Sequence, residues 1–485
     1  MRKSETIKIF SAHEMKLRIF DVRKETNISK TVAKIIDDVR LRGDKALIEM
    51  TRQFDRCEID SVIFKSRRVK IDRALENCMK TAFARILKFH KETADESKLI
   101  RREGEILGRI VRPLRRVGVY VPGGSAPLFS TLLMAVGAAR AAGVKEIAVA
   151  TPPPVNDLII AAARIAGVSE IYSVGGAQAI AALAFGTESV KPVDKIVGPG
   201  NRFVAEAKRQ VFGRVGIDSI AGPSEILILA DESSSPKMIA ADMIAQAEHD
   251  IFARSILLTS SRRIGEAVIL EIEEQLKDLP RRDIAKSSLA ERGIIGICRD
   301  SSEMLALANM CAPEHLEIMI KKPWEVVKKI YAAGAIFVGN YSPEILGDYV
   351  AGPNHILPTG GTARFSPPLS ARDFVAVSTV QSFSKKASSV LAKKAVMMAR
   401  AEGLEAHARS IESRFYESRF GKSRFDESRF YESRFDESRF DESRFDESRF
   451  DESRFYESRF DESRFDESRF DESRFGESKK KSRKR

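Results

Sequence analysis

Along residues 1 to about 410, short apolar runs rich in β-branched residues alternate with stretches of helical period. The runs are "EIAVAT" at 146–151, "IYSV" at 171–174, "KIVG" at 195–198, "ILILA" at 226–230, "SILLTS" at 255–260, "GIIGIC" at 293–298 and "AIFVG" at 335–339. Strands interleaved with alanine-rich and amphipathic helices predict a parallel-sheet α/β protein with two sheets. One stretch departs from this rhythm: "CAPEHLEI" at 311–318 sets Glu314 beside His315. Pro313 suits a first helical position and a carboxylate in the first turn suits the helix dipole, so the pattern predicts a helix start there.

From about residue 412 the pattern becomes a pentad, "ESRFD" and its variants, with Phe every fifth residue from Phe415 to Phe475. Five residues advance a helix by about 140° and flip a strand to its other face, so the phenylalanines share no single side in either structure. Phe and Ser occupy the two places that pentapeptide-repeat proteins fill with apolar and small residues in a square β-helix. Arg and Glu suit the flanking places of that family poorly. The expectation is a disordered, charged tail closing on the basic run "KKKSRKR".

Composition narrows the function classes. A chain of 485 residues, 43% hydrophobic, is long enough for two or more packed domains. The start "MRKSETIKIF" lacks a following signal-peptide core and no apolar run approaches the length of a membrane helix, so a soluble cytoplasmic protein without membrane partners is expected. Net charge is +12, but its lysines and arginines are scattered rather than gathered into a stripe, which argues against nucleic acid as a partner. Cys57, Cys78, Cys298 and Cys311 form no CxxC pair, so any metal would be held by histidine and oxygen ligands.

Unusual residues gather in glycine-bearing segments: "VYVPGGSAP" at 119–127, "VGGAQAI" at 174–180, "GPGN" at 198–201 and "AGPSE" at 221–225. Glycine admits a ligand close to the backbone, and a following helix offers N–H groups to an anion, although a full GxGxxG is missing. The segment "SPKMIAADMIAQAEHD" reads as a helix capped by Ser235 with Gln246 and His249 on one face. "NYSPEILGDYVAGPNHILPTGG" adds Glu344, Asp348 and His355 in a loop-like composition, and "RAEGLEAH" adds Glu402 and His407 on a final helix. His249, His315, His355 and His407 each lie beside an acid or amide, whereas His13 and His90 do not. A divalent metal site of imidazole, carboxylate and amide ligands becomes plausible.

These motifs, in order, resemble the histidinol dehydrogenase family. The resemblance runs from "VRLRGDKALIEMTRQFD" through "RVGVYVPGGSAPLFSTLLM", "VDKIVGPGN", "EAKRQV", "IDSIAGPSEILILAD", "AQAEHD", "APEHLE" and "GDYVAGPNHILPT" to "AEGLEAH". It implies zinc- and NAD-dependent four-electron oxidation of L-histidinol to L-histidine through an aldehyde; a relative acting on another small polar alcohol, such as a sulfonated diol, is the alternative. Carried over, Glu314 and His315 match the catalytic pair and Gln246, His249, Asp348 and His407 the ligands of one zinc ion per subunit. Tyr120, Gln178 and Asn201 match the NAD+ contacts. Ser224, His355 and Glu402 match substrate contacts, joined by His315 and the four metal ligands. The resemblance also implies a domain-swapped homodimer in which Glu402 and His407 enter the partner's site.

The expected layout is two Rossmann-like parallel-sheet domains with small helical terminal parts. A helical segment spans 1–15, a first, discontinuous domain 16–118 with 226–369, a second domain with the NAD loops 119–225, a C-terminal helical dimerisation segment 370–411 and the repeat tail 412–485.

Overall fold

The computed structural model describes residues 6–19, 28–65, 67–123 and 127–415. It separates into two compact units, Met1–Val390 and Leu391–Arg485. Among the described residues no helix is long and apolar enough to cross a membrane.

The first unit contains two parallel sheets and a third, antiparallel one. In the six-stranded sheet the order is β1 (Lys8–Ser11), β11 (Ile294–Ile297), β10 (Arg254–Thr259), β9 (Glu225–Ala230), β12 (His315–Met319), β13 (Ala335–Val338). In the five-stranded sheet it is β6 (Glu170–Ser173), β5 (Glu146–Thr151), β4 (Arg116–Tyr120), β7 (Lys195–Val197), β8 (Gly216–Ile217). Both are parallel throughout. Helices cover both faces, which explains runs as uniformly apolar as "ILILA" at 226–230. Ile226, Ile228 and Ala230 of β9 pack into one core cluster, while Leu227 and Leu229 pack into the cluster on the opposite face.

Each parallel sheet has a point where the chain reverses its direction of growth. Successive strands β4, β5 and β6 step one way and β7 then returns to the other side of β4; likewise β9, β10 and β11 step outward and β12 returns beside β9. Such crevices are where open α/β sheets bind ligands.

Several expectations are corrected. "CAPEHLEI" does not open a helix: helix Ser301–Cys311 ends there, Ala312 takes φ +44°, and His315 begins β12. Parallel pairing on both sides, His315 to Ile226 and to Ala335, outweighs the local helix signals. Residues 8–11, in the segment read as helical, form edge strand β1. Residues 375–383, also assigned to a helical part, form β14 (Val375–Phe383), which pairs antiparallel with β3 (Glu105–Pro113), itself paired with β2 (Lys98–Arg102). This third sheet carries no unbroken apolar run, and most of its residues are at least partly exposed. The domain boundary also differs. Helices Ser29–Arg42 and Asp44–Phe54 bury Val32, Val39 and Leu47 against Tyr120, Ala148 and Ile180, and Met79 and Ile86 pack with Val117 and Leu132, so residues 29–92 clothe the five-stranded sheet.

In the second unit, helix Lys385–Ala401, which begins in the first, ends before Gly403 at φ +75° and helix Glu405–Glu412 follows. Arg400 ties the two helices by bonding Glu405 at 3.0 Å and Glu412 at 3.1 Å. The expected single final helix is therefore two, with Glu402 in the break. The expected disorder of the repeat tail concerns residues that, from 416 onward, lie outside those described.

Candidate active site

Glu314 and His315 sit where β12 starts, at the N-terminal edge of the six-stranded sheet, next to Glu225 at the start of β9. One backbone holds both. The Glu225 N–H donates to Glu314 Oε2 at 2.9 Å, and Glu225 O lies 3.1 Å from His315 Nδ1. Nδ1 therefore carries the proton and donates it to that carbonyl, leaving the lone pair on Nε2. Glu344 Oε1 is a second neighbour of Nδ1 at 3.3 Å. Nε2 faces Asp348 Oδ1 at 3.9 Å and has no hydrogen-bond partner among the described residues.

Burial dominates the electrostatics. It pushes the His315 pKa down to about 4, with Asp348 opposing, so the ring is neutral near neutral pH. It lifts the Glu314 carboxyl well above the ordinary 4.5, helped by the charges of Glu225 and Asp348 and opposed by the Glu225 N–H. Glu344 is likewise raised, by burial first and then by Asp348, Glu317 and Glu314. Burial also lowers His355, whose Nδ1 donates to the Asp348 carbonyl at 2.8 Å and whose Nε2 lies 3.4 Å from Thr131 Oγ1. Thr131 belongs to helix Phe129–Ala141, which follows the loop after β4, so that helix reaches the acid–imidazole group.

The short helix Glu344–Tyr349 stands where the sequence suggests only a loop, and its first N–H is held by Glu317 Oε1 at 2.8 Å. His315, Glu344 and Asp348 offer ligand atoms within 4.8 Å of one another, an arrangement able to hold a metal ion. Gln246, in the last turn of helix Pro236–Ala247, is 1% exposed, yet among the described residues neither its Oε1 nor its Nε2 has a partner. Leaving such an amide unpaired costs about 1–3 kcal/mol per group, so these atoms fit a ligand rather than a packing role. His249 lies just past that helix, exposed, and its nearness adds a little to the lowering of His315 and His355. Ser235 stands at the N-cap without the expected side-chain bond. Ser224 is half-buried directly before Glu225.

The residues matched to the nucleotide gather at the other sheet. Tyr120 ends β4, and its buried hydroxyl accepts the Gly176 N–H at 3.1 Å at the start of the helix carrying Gln178, itself buried. Asn201 caps helix Arg202–Val211, its Oδ1 accepting from Phe203 and Val204 at 3.0 and 3.2 Å. Gly124, Ser125 and Ala126 of the loop after β4 lie outside the described residues. The glycine loops after β4, β6 and β7 thus follow their strands, whereas "AGPSE" leads into β9. Glu402 and His407 are exposed in the second unit.

The family model for histidinol dehydrogenase matches residues 21–415. A histidinol dehydrogenase from Thermus thermophilus is 47% identical over 413 residues, covering 84% of this chain and all of that protein. The chain belongs to the histidinol dehydrogenase family. Another relative, the histidinol dehydrogenase from Clostridium acetobutylicum, is 49% identical over 403 residues, covering 81% of this chain and 94% of that one. The crystal structure of the histidinol dehydrogenase from Elizabethkingia anophelis superposes with a TM-score of 0.81 at 36% identity, covering 84% of this chain and 98% of that one. A pentapeptide-repeat model matches nine copies at residues 411–459. The histidinol dehydrogenase family makes this chain an oxidoreductase, and the mixed α/β fold with parallel sheets agrees with its structural relative.

The sequence reading of the site left out Glu225, Glu317, Asp242 and Thr131 and did not carry Glu344 into the site. A signal for two of them exists: an acid opening or interrupting an otherwise apolar strand, as in "EILILA" and "HLEIM", is costly unless used. Burial raises the Asp242 carboxyl to about 6 and lifts Glu317 well above the ordinary 4.5, the nearby Asp242 charge adding to the rise of Glu317.

Two predictions follow from these groups. Gln246→Leu removes an amide without a partner, so in the metal-free protein it should leave stability unchanged or raise it by about 1 kcal/mol, while lowering affinity for added zinc; denaturation with chelator and a zinc titration read the two effects. The neutral His315 binds fewer protons folded than unfolded between about 4 and 6.5, so its contribution is complete above pH 6.5 and is lost as pH falls toward 4. The raised carboxyls oppose this trend. Comparing the parent with His315→Asn isolates it: the parent should gain up to about 1.4 kcal/mol more stability per pH unit across that window, measured by urea denaturation.

Proposed function

We propose that the chain oxidises L-histidinol to L-histidine through an aldehyde retained at the site, passing two hydrides to NAD+. The observation that carries this reading, in a chain of this family, is a buried neutral imidazole with an unpartnered Nε2 beside Asp348, together with the unpartnered Gln246 amide. Gln246, His249 and Asp348, with His407, would hold a zinc-like ion, and these nitrogen and oxygen donors suit it; when bound it would supply Lewis-acid polarisation and a fixed seat for the substrate's nitrogens. Tyr120 at the end of β4, Gln178 in the helix after β6 and Asn201 at the cap of the helix after β7, all beyond the strand ends of the five-stranded sheet, would hold NAD+, the hydride acceptor. Ser224, His355 and Glu402 would contact the substrate.

The chain's own groups divide the proton work. His315 Nε2 takes the proton of the substrate hydroxyl as hydride leaves. The resulting imidazolium is stabilised on its Nδ1–H side by the Glu225 carbonyl at 3.1 Å and the Glu344 carboxyl at 3.3 Å. Before the second oxidation the aldehyde must add water. Glu314 removes that water's proton, its raised pKa making the ionised form a stronger base than an ordinary carboxylate. We further propose that Glu402 and His407 act in the site of a second copy within a swapped homodimer. Both are exposed in the second unit, as are Leu391, Met397, Met398 and Leu404.

The deciding assay is NADH production from L-histidinol with and without chelator. Two NADH per substrate, lost with chelator and restored by zinc, is expected; no NADH with zinc supplied refutes the reading. In the same assay His315→Asn should impair both oxidations, while Glu314→Gln slows the aldehyde step by about 10²-fold or more and the alcohol step far less. Equal losses would contradict that division. Sharing of the site is tested by mixing inactive His315→Asn and His407→Ala proteins under exchange conditions: one intact site per hybrid dimer should restore about a quarter of full activity, and none if each subunit uses its own His407.

A further inference from the structure

Lys208 and Asp218 form an ion pair that the chemistry above does not use. Lys208, on helix Arg202–Val211, is 2% exposed, and its Nζ donates to Gly198 O at 3.0 Å and to Asp218 Oδ1. The other oxygen of Asp218 accepts the Gly198 N–H at 2.7 Å. Three hydrogen bonds thus close a ring in which both polar backbone atoms of one glycine are taken by one buried charge pair. Gly198 follows β7 and abuts the end of β4: it adopts φ +116°, and a Cβ there would lie 2.1 Å from Tyr120 O. It is also the first residue of "GPGN", which leads to Asn201 and the helix that bears Lys208.

Stability alone does not account for this arrangement. Two buried charges cost desolvation energy, and a well-packed apolar pair is often as stable or more so. What the apolar pair could not do is hold a glycine, the residue with the greatest backbone freedom, in one orientation. We infer that Lys208 and Asp218 are positioning residues for the nucleotide. They lock the 198 peptide and fix the distance between the loop after β7 and the Asn201-capped helix, so that the cleft between β4 and β7 keeps the shape that NAD+ requires. The inference rests on assigning NAD+ to this cleft. It assigns the pair no contact with the reacting atoms.

The test is Lys208→Met combined with Asp218→Leu, which removes both charges and leaves neither buried alone. The folded double variant should show a KM for NAD+ raised about tenfold, with kcat, KM for L-histidinol and bound zinc within about twofold of the parent. A role confined to stability would instead lower Tm and active fraction and leave both KM values unchanged, which overturns the inference. Should the double variant not fold, Asp218→Asn keeps the shape of the pair and loosens its grip; about a threefold rise in KM for NAD+ is expected, and no rise overturns the proposal. A parent enzyme that makes no NADH refutes the NAD+ assignment itself, whereas an active parent beside a folded variant with unchanged KM for NAD+ refutes only the role of the pair.

Discussion

The peptide groups of Glu225 are the constraint on which the site depends. Its N–H holds the Glu314 carboxylate and its carbonyl holds His315 Nδ1, so the two side chains have their geometry set by backbone. That backbone is in turn set by the β9–β12 register, in which His315 pairs with Ile226. A register shift of one residue would turn His315 to the opposite face and replace the whole apolar set behind it. Close packing reinforces the arrangement: a Cβ on Gly334 would lie 2.5 Å from Glu314 O, so the next strand can run alongside only because that position has no side chain. The core and the acid–imidazole pair are therefore one structure.

The site also concentrates unfavourable burial. Glu314, Glu317 and Glu344 are all buried and all raised in pKa, while His315 and His355 are lowered, each with burial as the leading cause. Groups of this kind are seldom tolerated without a function to offset their cost. By contrast, the buried Arg116 holds Glu146 and Glu170 through its two terminal guanidinium nitrogens and, like the Lys208–Asp218 pair, belongs to the framework of the five-stranded sheet.

Much of this was visible in the sequence, for identifiable reasons. Runs such as "EIAVAT" and "ILILA" are too apolar and too short for anything but central strands, and β5 and β9 stand there. "HLEIM" was hidden because a proline, an acid and an imidazole at its start mimic a helix terminus, and only its neighbours β9 and β13 make it a strand. Likewise β14 and β3 satisfy one another across a nine-residue ladder that no local window contains. The site followed the same division. Histidines beside acids were conspicuous in a chain with six of them, so Glu314, His315, Asp348 and His355 were legible. Glu225 and Thr131 were not, because one acts through its backbone and the other comes close only through tertiary packing.

The two parallel sheets present opposite edges. Glu314 and His315 lie where a strand of the six-stranded sheet begins, whereas Tyr120 and Gly198 lie where strands of the five-stranded sheet end. Loops at a strand's beginning and loops at a strand's end belong to different connections, so the residues proposed for proton chemistry and those proposed for the nucleotide occupy separate stretches of chain. Diversification can then proceed on one edge while the other is held constant. On the proposed assignments, a lineage could change the alcohol it accepts without rebuilding its cofactor cleft, and an engineer could retune cofactor preference through the segments after β4, β6 and β7 alone.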